Sequence, residues 1–270
     1  MSKTMLLYKQ VRPLNREEHK GFRLKPGNTC EFAAGAHLVP LAGQEFFQSA
    51  RHYPIVFIGE GENIAPIAML GMKDSHNAFV EQGQWATNHY VPAFVRRYPF
   101  VLSQGGNQEF TVCIDSEFEG WSQEEGQPLF DEAGANTPYL DEMIRFLQSF
   151  TNEMERTRSF VAKLRELDLL DKRSFKLSHV SGETFLLSDF MAIDEEKFTQ
   201  LGDDQILALH KDGFLGWIYA HLMSLGNVNQ LFERHLAARK ASDETSTEQA
   251  SAEASDETAA APKKGKSTKH

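Results

Sequence analysis

Cysteine, long apolar runs and net positive charge are all scarce in this chain. Its 270 residues include two cysteines, Cys30 and Cys113, which lie far apart and in apolar settings, so we expect both to be reduced and buried. The formal net charge of −10 argues against a nonspecific nucleic-acid binder, whose affinity comes from basic side chains on phosphates. The same charge disfavours docking on anionic lipid.

A membrane span and a secretory signal are not expected either. No run approaches the roughly 18 apolar residues that cross a bilayer. Residues 1–9 carry only a short apolar patch, whereas a signal peptide needs an apolar stretch of about 7–15 residues. The sequence therefore predicts a soluble, cytoplasmic protein with no nucleic-acid partner and no membrane span.

The last thirty residues differ in composition from the rest. Residues 241–261 contain six acidic residues, no aromatic and no large aliphatic side chain, and four lysines follow between Lys263 and Lys269. Such a segment cannot bury enough apolar surface to offset the entropy lost on ordering. We therefore predict one folded domain over residues 1–240 and a disordered acidic tail, ending in a lysine cluster, over residues 241–270.

Short apolar runs separated by turn residues predict β hairpins in three places. The paired runs are Ile55–Ile58 with Ile64–Leu70, Phe100–Ser103 with Phe110–Ile114, and Phe175–Ser178 with Thr184–Leu187. Pro66 lies in one of these runs, and because proline cannot donate to a strand ladder we expect it at a sheet edge or a bulge.

A long amphipathic helix is predicted from Pro138 to about Leu170. Thr137 can cap it, Pro138 suits its first position, and its apolar residues follow the 3.6-residue period. Further helices are predicted towards the C-terminus, with Asp203 and Asn227 as caps and His221 hydrogen-bonded in the core. Together these elements predict the α+β class: antiparallel hairpins forming a sheet, a long central helix, and a C-terminal helical cluster that covers the sheet.

The block from Tyr90 to Leu102 is the most distinctive part of the sequence, because it combines several aromatics, two prolines and adjacent arginines. It resembles the central motif of the SapC family, bacterial S-layer-related proteins. Other segments resemble the family in the same order along the chain: Val11–Asn15, His37–Leu41, Ala50–Phe57, Gly126–Asp131 and Tyr219–Asn227. The resemblance covers roughly residues 8–236. It implies an association with bacterial surface-protein systems and supplies no catalytic residue.

Within that block, Tyr90, Arg96, Arg97 and Tyr98 are the candidate ligand-binding residues. Arginine beside aromatic rings can present a planar fork to a carboxylate or phosphate while the rings exclude water. A structural interpretation is favoured over this one, in which Phe94 and Val95 pack inward and the arginines bridge to nearby acidic surface.

The histidines suggest a second hypothesis. His37, His52, His76 and His89 lie in the strand-rich half, and Asp74 precedes His76 by two positions. A non-haem iron site needs two histidines and one carboxylate converging on the metal, but the spacing here does not identify such a set. We therefore assign no metal, no cofactor and no catalytic residue.

The sequence favours a non-catalytic bacterial protein that is an accessory or ligand- and peptide-binding component of a surface-protein or uptake system. A metal-dependent, oxygenase-like enzyme that uses the N-terminal histidines is the alternative. A homo-oligomeric scaffold is a third reading, which a large exposed apolar patch would support. Convergence of the histidines would favour the enzyme, and a pocket at Tyr90, Arg96 and Tyr98 would favour the binding protein.

Overall fold

The computed structural model describes residues 6–25, 27, 29–104, 110–179, 182 and 184–240. The predicted tail, residues 241–270, lies outside this part of the chain, as does the turn of the Phe100–Ile114 hairpin. Helices and antiparallel sheets are both present, so the α+β class is confirmed. None of the helices in the described part is long and apolar enough to cross a membrane.

The largest sheet has five antiparallel strands in the order β12-β13-β4-β5-β3. Its strands are β3 Leu38–Pro40, β4 Ile55–Ile58, β5 Ala65–Met69, β12 Leu170–Ser178 and β13 Thr184–Ile193. Ile55, Val56 and Phe57 are fully buried, as an uninterrupted apolar run on a central strand requires.

The expected edge position of Pro66 is wrong. Pro66 lies in β5, which has β4 on one side and β3 on the other. The strand tolerates the proline because β3 pairs with β5 at Ile67–Met69, which begins one residue after Pro66. The missing amide therefore lies outside that paired stretch. The carbonyl of Pro66 still takes part in the sheet, since it accepts a hydrogen bond from the Leu41 amide at 3.0 Å.

Two of the three predicted hairpins lie in this sheet, whereas the Phe100–Ile114 hairpin belongs to a separate one and further short strands form small sheets that were not predicted. One three-stranded sheet has the order β1-β9-β8, with β1 Val11–Pro13, β8 Phe100–Gln104 and β9 Phe110–Asp115. A second has the order β10-β2-β11, with β2 Arg23–Leu24, β10 Trp121–Ser122 and β11 Gln127–Pro128. A two-stranded ribbon pairs β6 Val80–Glu81 with β7 Gln84–Trp85.

Three short helical segments follow β13: α4 Glu195–Thr199, α5 Asp203–Lys211 and α6 Leu215–Ser224. A final helix covers residues 228–240. Helix α6 packs on β13 and β4, as the predicted helical cover requires. One predicted cap is wrong, because Gly202, not Asp203, precedes α5. Asn227 directly precedes the last helix, and its side-chain amide nitrogen donates to the carbonyls of Ala50 and Tyr53.

The predicted long helix is α3, Pro138–Glu166. The hydroxyl of Thr137 accepts a hydrogen bond from the Leu140 amide, as expected for its cap. The helix ends four residues before the predicted Leu170, because Asp168 adopts a left-handed conformation with φ of 52°. Both cysteines are buried and neither forms a disulfide, as predicted.

An aromatic cluster joins α3 to the C-terminal helices. The Phe160 ring lies edge-on to Trp217, with centroids 5.3 Å apart, and Phe46 and Phe214 pack against the same two rings. Gly43, in the turn before helix α1 (Phe46–Ser49), lies directly against the indole face of Trp217. A side chain at this position would have to enter the space that the indole fills.

We predict that Gly43→Ala destabilises the protein by roughly 1–3 kcal/mol or more, because an added Cβ overlaps the Trp217 ring. Urea unfolding measures the change. In a Trp217→Ala background the same substitution should cost much less, which isolates the contact as a coupling energy. Gly35→Ala is the control, since only one atom lies near its added Cβ, at 3.9 Å. An equal cost at both glycines contradicts the packing argument.

His221 is fully buried on α6, as its predicted core position requires. Its Nε2 accepts a hydrogen bond from the Ile193 amide at 3.0 Å, at the end of β13. Burial lowers the pKa of His221 to about 3, because a charged ring would lose its hydration in the core. The neutral imidazole therefore joins the helix to the sheet.

This lowered pKa makes stability depend on pH. Between about pH 6.5 and pH 3 the unfolded chain binds a proton at His221 that the folded protein does not, so stability is full above about pH 6.5 and falls as the pH drops. The free energy of unfolding, measured with urea, should therefore fall between pH 6.5 and pH 3 in the wild type. We predict that this fall is smaller by a few kcal/mol in His221→Gln. His210→Gln, at an exposed site on α5, should leave it unchanged. Parallel profiles for wild type and His221→Gln would refute the assignment.

Candidate ligand-binding cleft

A cleft of about 440 Å³ opens beside the Tyr90–Leu102 block. Its aromatic lining consists of Phe32, Trp85, Tyr98 and Phe118, and its cationic lining consists of Lys25 and Arg96. A second depression of about 590 Å³ adjoins it and shares Phe32, Tyr98 and Phe118. Volumes of this size are typical of small-molecule sites.

The block forms one wall of the cleft through a single helical turn. Helix α2 covers Ala93–Arg96 and starts directly after Pro92, whose extended backbone supplies its N-cap. A cis Tyr98–Pro99 bond follows and leads into β8. Phe94 and Val95 are buried, so the turn packs its apolar side inward, as the structural interpretation of this block predicted.

Arg96 is exposed at the edge of the cleft. Its Nε donates to the carbonyl of Val91 at 3.0 Å, and its Nη2 donates to the hydroxyl of Tyr90 at 3.1 Å. Its guanidinium also lies over the Phe146 ring of α3, 5.2 Å from the centroid. Both hydrogen bonds go to neutral oxygens, so these contacts orient the cation without neutralising it.

Glu45 holds this wall from behind. Its Oε1 accepts hydrogen bonds from the Tyr90 hydroxyl at 2.8 Å and the Ala93 amide at 2.6 Å, and its Oε2 accepts from the Ala42 amide at 3.1 Å. Burial raises the pKa of Glu45. Burial, together with the adjacent Glu45, raises the pKa of Tyr90 to about 12. Tyr90 therefore remains a neutral bridge between Glu45 and Arg96.

Arg97 points into the protein, away from its neighbour. Its guanidinium stacks on Phe94 at 4.2 Å and lies over Phe150 at 5.3 Å and Tyr8 at 5.8 Å. Burial lowers the pKa of Arg97. Cation–π contacts are strengthened by removal from water, which is how this partly buried charge is accommodated.

Tyr98 separates the two depressions. Its ring stacks on Phe32, with centroids 4.0 Å apart, and meets Phe118 edge-on at 5.2 Å. Its hydroxyl donates to Oδ2 of the fully buried Asp115 at 3.1 Å. Burial and this carboxylate raise the pKa of Tyr98. Tyr98 lines both depressions while its hydroxyl is bonded to Asp115.

The four candidate residues therefore lie in three environments. Arg96 and Tyr98 line the cleft, Tyr90 lies behind Arg96, and Arg97 stacks on core aromatics. The acidic bridges considered for the arginines are replaced by aromatic and neutral oxygen contacts. Sequence reasoning did not identify Lys25, Phe32, Trp85, Phe118 or the anchor Glu45, because these come from separate segments that only the fold brings together.

Four of the five candidate metal ligands lie in two pairs, and His76 belongs to neither. His37 Nε2 lies 3.3 Å from Asp74 Oδ1, and the rings of His52 and His89 are 5.1 Å apart. His89 Nε2 is also 3.1 Å from a guanidinium nitrogen of Arg234. Within the described ranges, no three histidine, cysteine, aspartate or glutamate side chains come together in a way that could hold a metal ion.

Comparison with known proteins gives one result. The model of the SapC family matches residues 14–231, a span that includes the cleft, α3 and most of the C-terminal helices. Searches of curated proteins and of solved structures found no significant match. Since the matched span covers most of the sequence, the chain belongs to the SapC family.

Proposed function

We propose that this protein is a non-catalytic binding protein whose cleft takes an organic acid or peptide with an aromatic or apolar portion. The observation that carries the proposal is Arg96, held by neutral oxygens at the edge of an aromatic-lined cleft. The family resemblance supports the wider setting, an accessory role in a bacterial surface-protein or uptake system.

The chemistry of the lining supports an anionic, partly apolar ligand. Guanidinium binds carboxylates through two parallel hydrogen bonds, and its orientation by Tyr90 and Val91 reduces the entropy lost on binding. Lys25 also lines the cleft, where it forms an ion pair with Glu125 at 3.9 Å, so Arg96 is the main positive charge there. The rings of Phe32 and Trp85 offer apolar surface to the remainder of the ligand.

The oxygenase-like alternative requires a different arrangement. Two histidines and one carboxylate must face one iron. Here His37 pairs with Asp74, His52 lies beside His89, and His76 belongs to neither pair. The binding function needs no such rearrangement, so it is the function we propose.

We predict that phenylalkanoic acids bind the cleft more tightly than their amides, and that Arg96→Gln removes the preference. Loss of a charge-assisted hydrogen bond of about 1.5–3 kcal/mol corresponds to roughly tenfold to hundredfold weaker binding. Titrations followed by NMR can use the Trp85 indole, which lines the cleft and donates to the Tyr53 hydroxyl at 3.2 Å.

Arg165→Gln is the matched control, because Arg165 is an exposed arginine in the last turn of α3 and is not part of the cleft. It should retain the preference for acids. The proposal fails if no acid in the series shifts the Trp85 resonance, or if Arg96→Gln still prefers acids to amides.

Glu45 provides a second test, because it positions Arg96 without reaching the cleft. Glu45→Gln keeps an oxygen that can accept from Ala93 and Tyr90, so we expect a modest loss of affinity for acids. Glu45→Leu removes that acceptor and should abolish the acid preference while also lowering the thermal midpoint. Equal acid preference in the Leu variant and in wild type would show that Arg96 does not depend on this anchor.

A further inference from the structure

The two depressions beside Tyr98 carry opposite charge. The first is lined by Arg96 and by Lys25, which forms an ion pair with Glu125 at 3.9 Å, so Arg96 sets the sign of this end. The second is lined by Glu31, Glu117 and Glu119, with Lys9 beside them. Lys9 forms an ion pair with Glu119 at 3.3 Å, so the carboxylates of Glu31 and Glu117 set the sign of this end.

Between the charged ends lies an apolar divider. Phe32 stacks on Tyr98, and Phe118 meets Tyr98 edge-on. All three residues line both depressions, and the hydroxyl of Tyr98 is bonded to Asp115. A ligand that crosses from one depression to the other must therefore pass over aromatic surface, and it meets a cationic region before the divider and an anionic region after it.

This order of charges restricts the class of ligand. A free amino acid carries both charges on one carbon and cannot place them on opposite sides of a stacked pair of rings. A short peptide with free ends can, because its α-carboxylate and α-ammonium are separated by the chain and are both charged at neutral pH. Its apolar side chain would contact the aromatic divider.

We propose that the cleft and the second depression together bind a short, unblocked peptide with an apolar or aromatic side chain. Its α-carboxylate lies at Arg96 and Lys25, and its α-ammonium lies at Glu31 and Glu117. This inference rests on the proposed function and makes it more specific, since a simple acid would need only the first depression.

The test uses four forms of one series of tri- to pentapeptides with a central phenylalanine: free, N-acetylated, C-amidated and blocked at both ends. Calorimetric titration of the full chain should show that either block weakens binding about tenfold or more, by the loss of a charge-assisted contact. In Glu31→Gln/Glu117→Gln, acetylation should no longer matter, while amidation should still weaken binding. In Arg96→Gln, amidation should no longer matter, while acetylation should still weaken binding.

The exposed glutamate Glu132 provides the control, since Glu132→Gln should retain both effects, and thermal melting verifies that each variant is folded. Equal binding of the free and acetylated peptides overturns the inference. So does a protein that binds phenylalkanoic acids through Arg96 but none of the peptides, although the proposed acid-binding function then stands. If neither peptides nor acids bind, both proposals fail.

Discussion

Helix α3 must pack in two hydrophobic cores at once, and the rest of the structure depends on this constraint. Leu140 and Leu147, in its first half, pack with the three-stranded sheet that contains β8. Phe160 and Leu164, in its second half, belong to the large core beneath the five-stranded sheet. A helix of 29 residues is long enough to reach both, and its 3.6-residue period keeps one face turned towards them.

Helix α3 also contacts the helical turn that forms one wall of the candidate cleft. Phe146 and Phe150 lie one turn apart on α3, and they contact the guanidinium groups of Arg96 and Arg97 respectively. The helix thus positions α2, while Glu45 fixes the start of the same turn through the Ala93 amide. The orientation of Arg96 is a consequence of packing on α3 and of one buried carboxylate.

The sequence predicted those features that depend on local periodicity and turn chemistry, such as α3 with its Thr137 cap and the paired hairpin strands. It did not predict features set by distant partners. Pro66 lies inside a sheet because β3, from a separate segment, pairs just beyond it. Arg96 and Arg97 are adjacent and chemically identical, yet one is exposed and the other stacks on Phe94. Their contacts in the fold distinguish them, because Arg96 bonds to Tyr90 and Val91 whereas Arg97 lies over the rings of Phe94 and Tyr8.

Neighbouring residues of the Tyr90–Leu102 block therefore have different roles: Arg97 packs in the protein interior, and Arg96 lies at the candidate site. Substitutions at the two positions must be interpreted differently. Removing Arg97 would leave Phe94 and Phe150 without the cation that fills the space between them, so weaker ligand binding in such a variant would report on packing. Arg96 is exposed, and its hydrogen bonds go to Tyr90 and Val91 within its own segment. A change at Arg96 can alter charge at the cleft while the core stays intact, which makes it the residue that separates binding from folding.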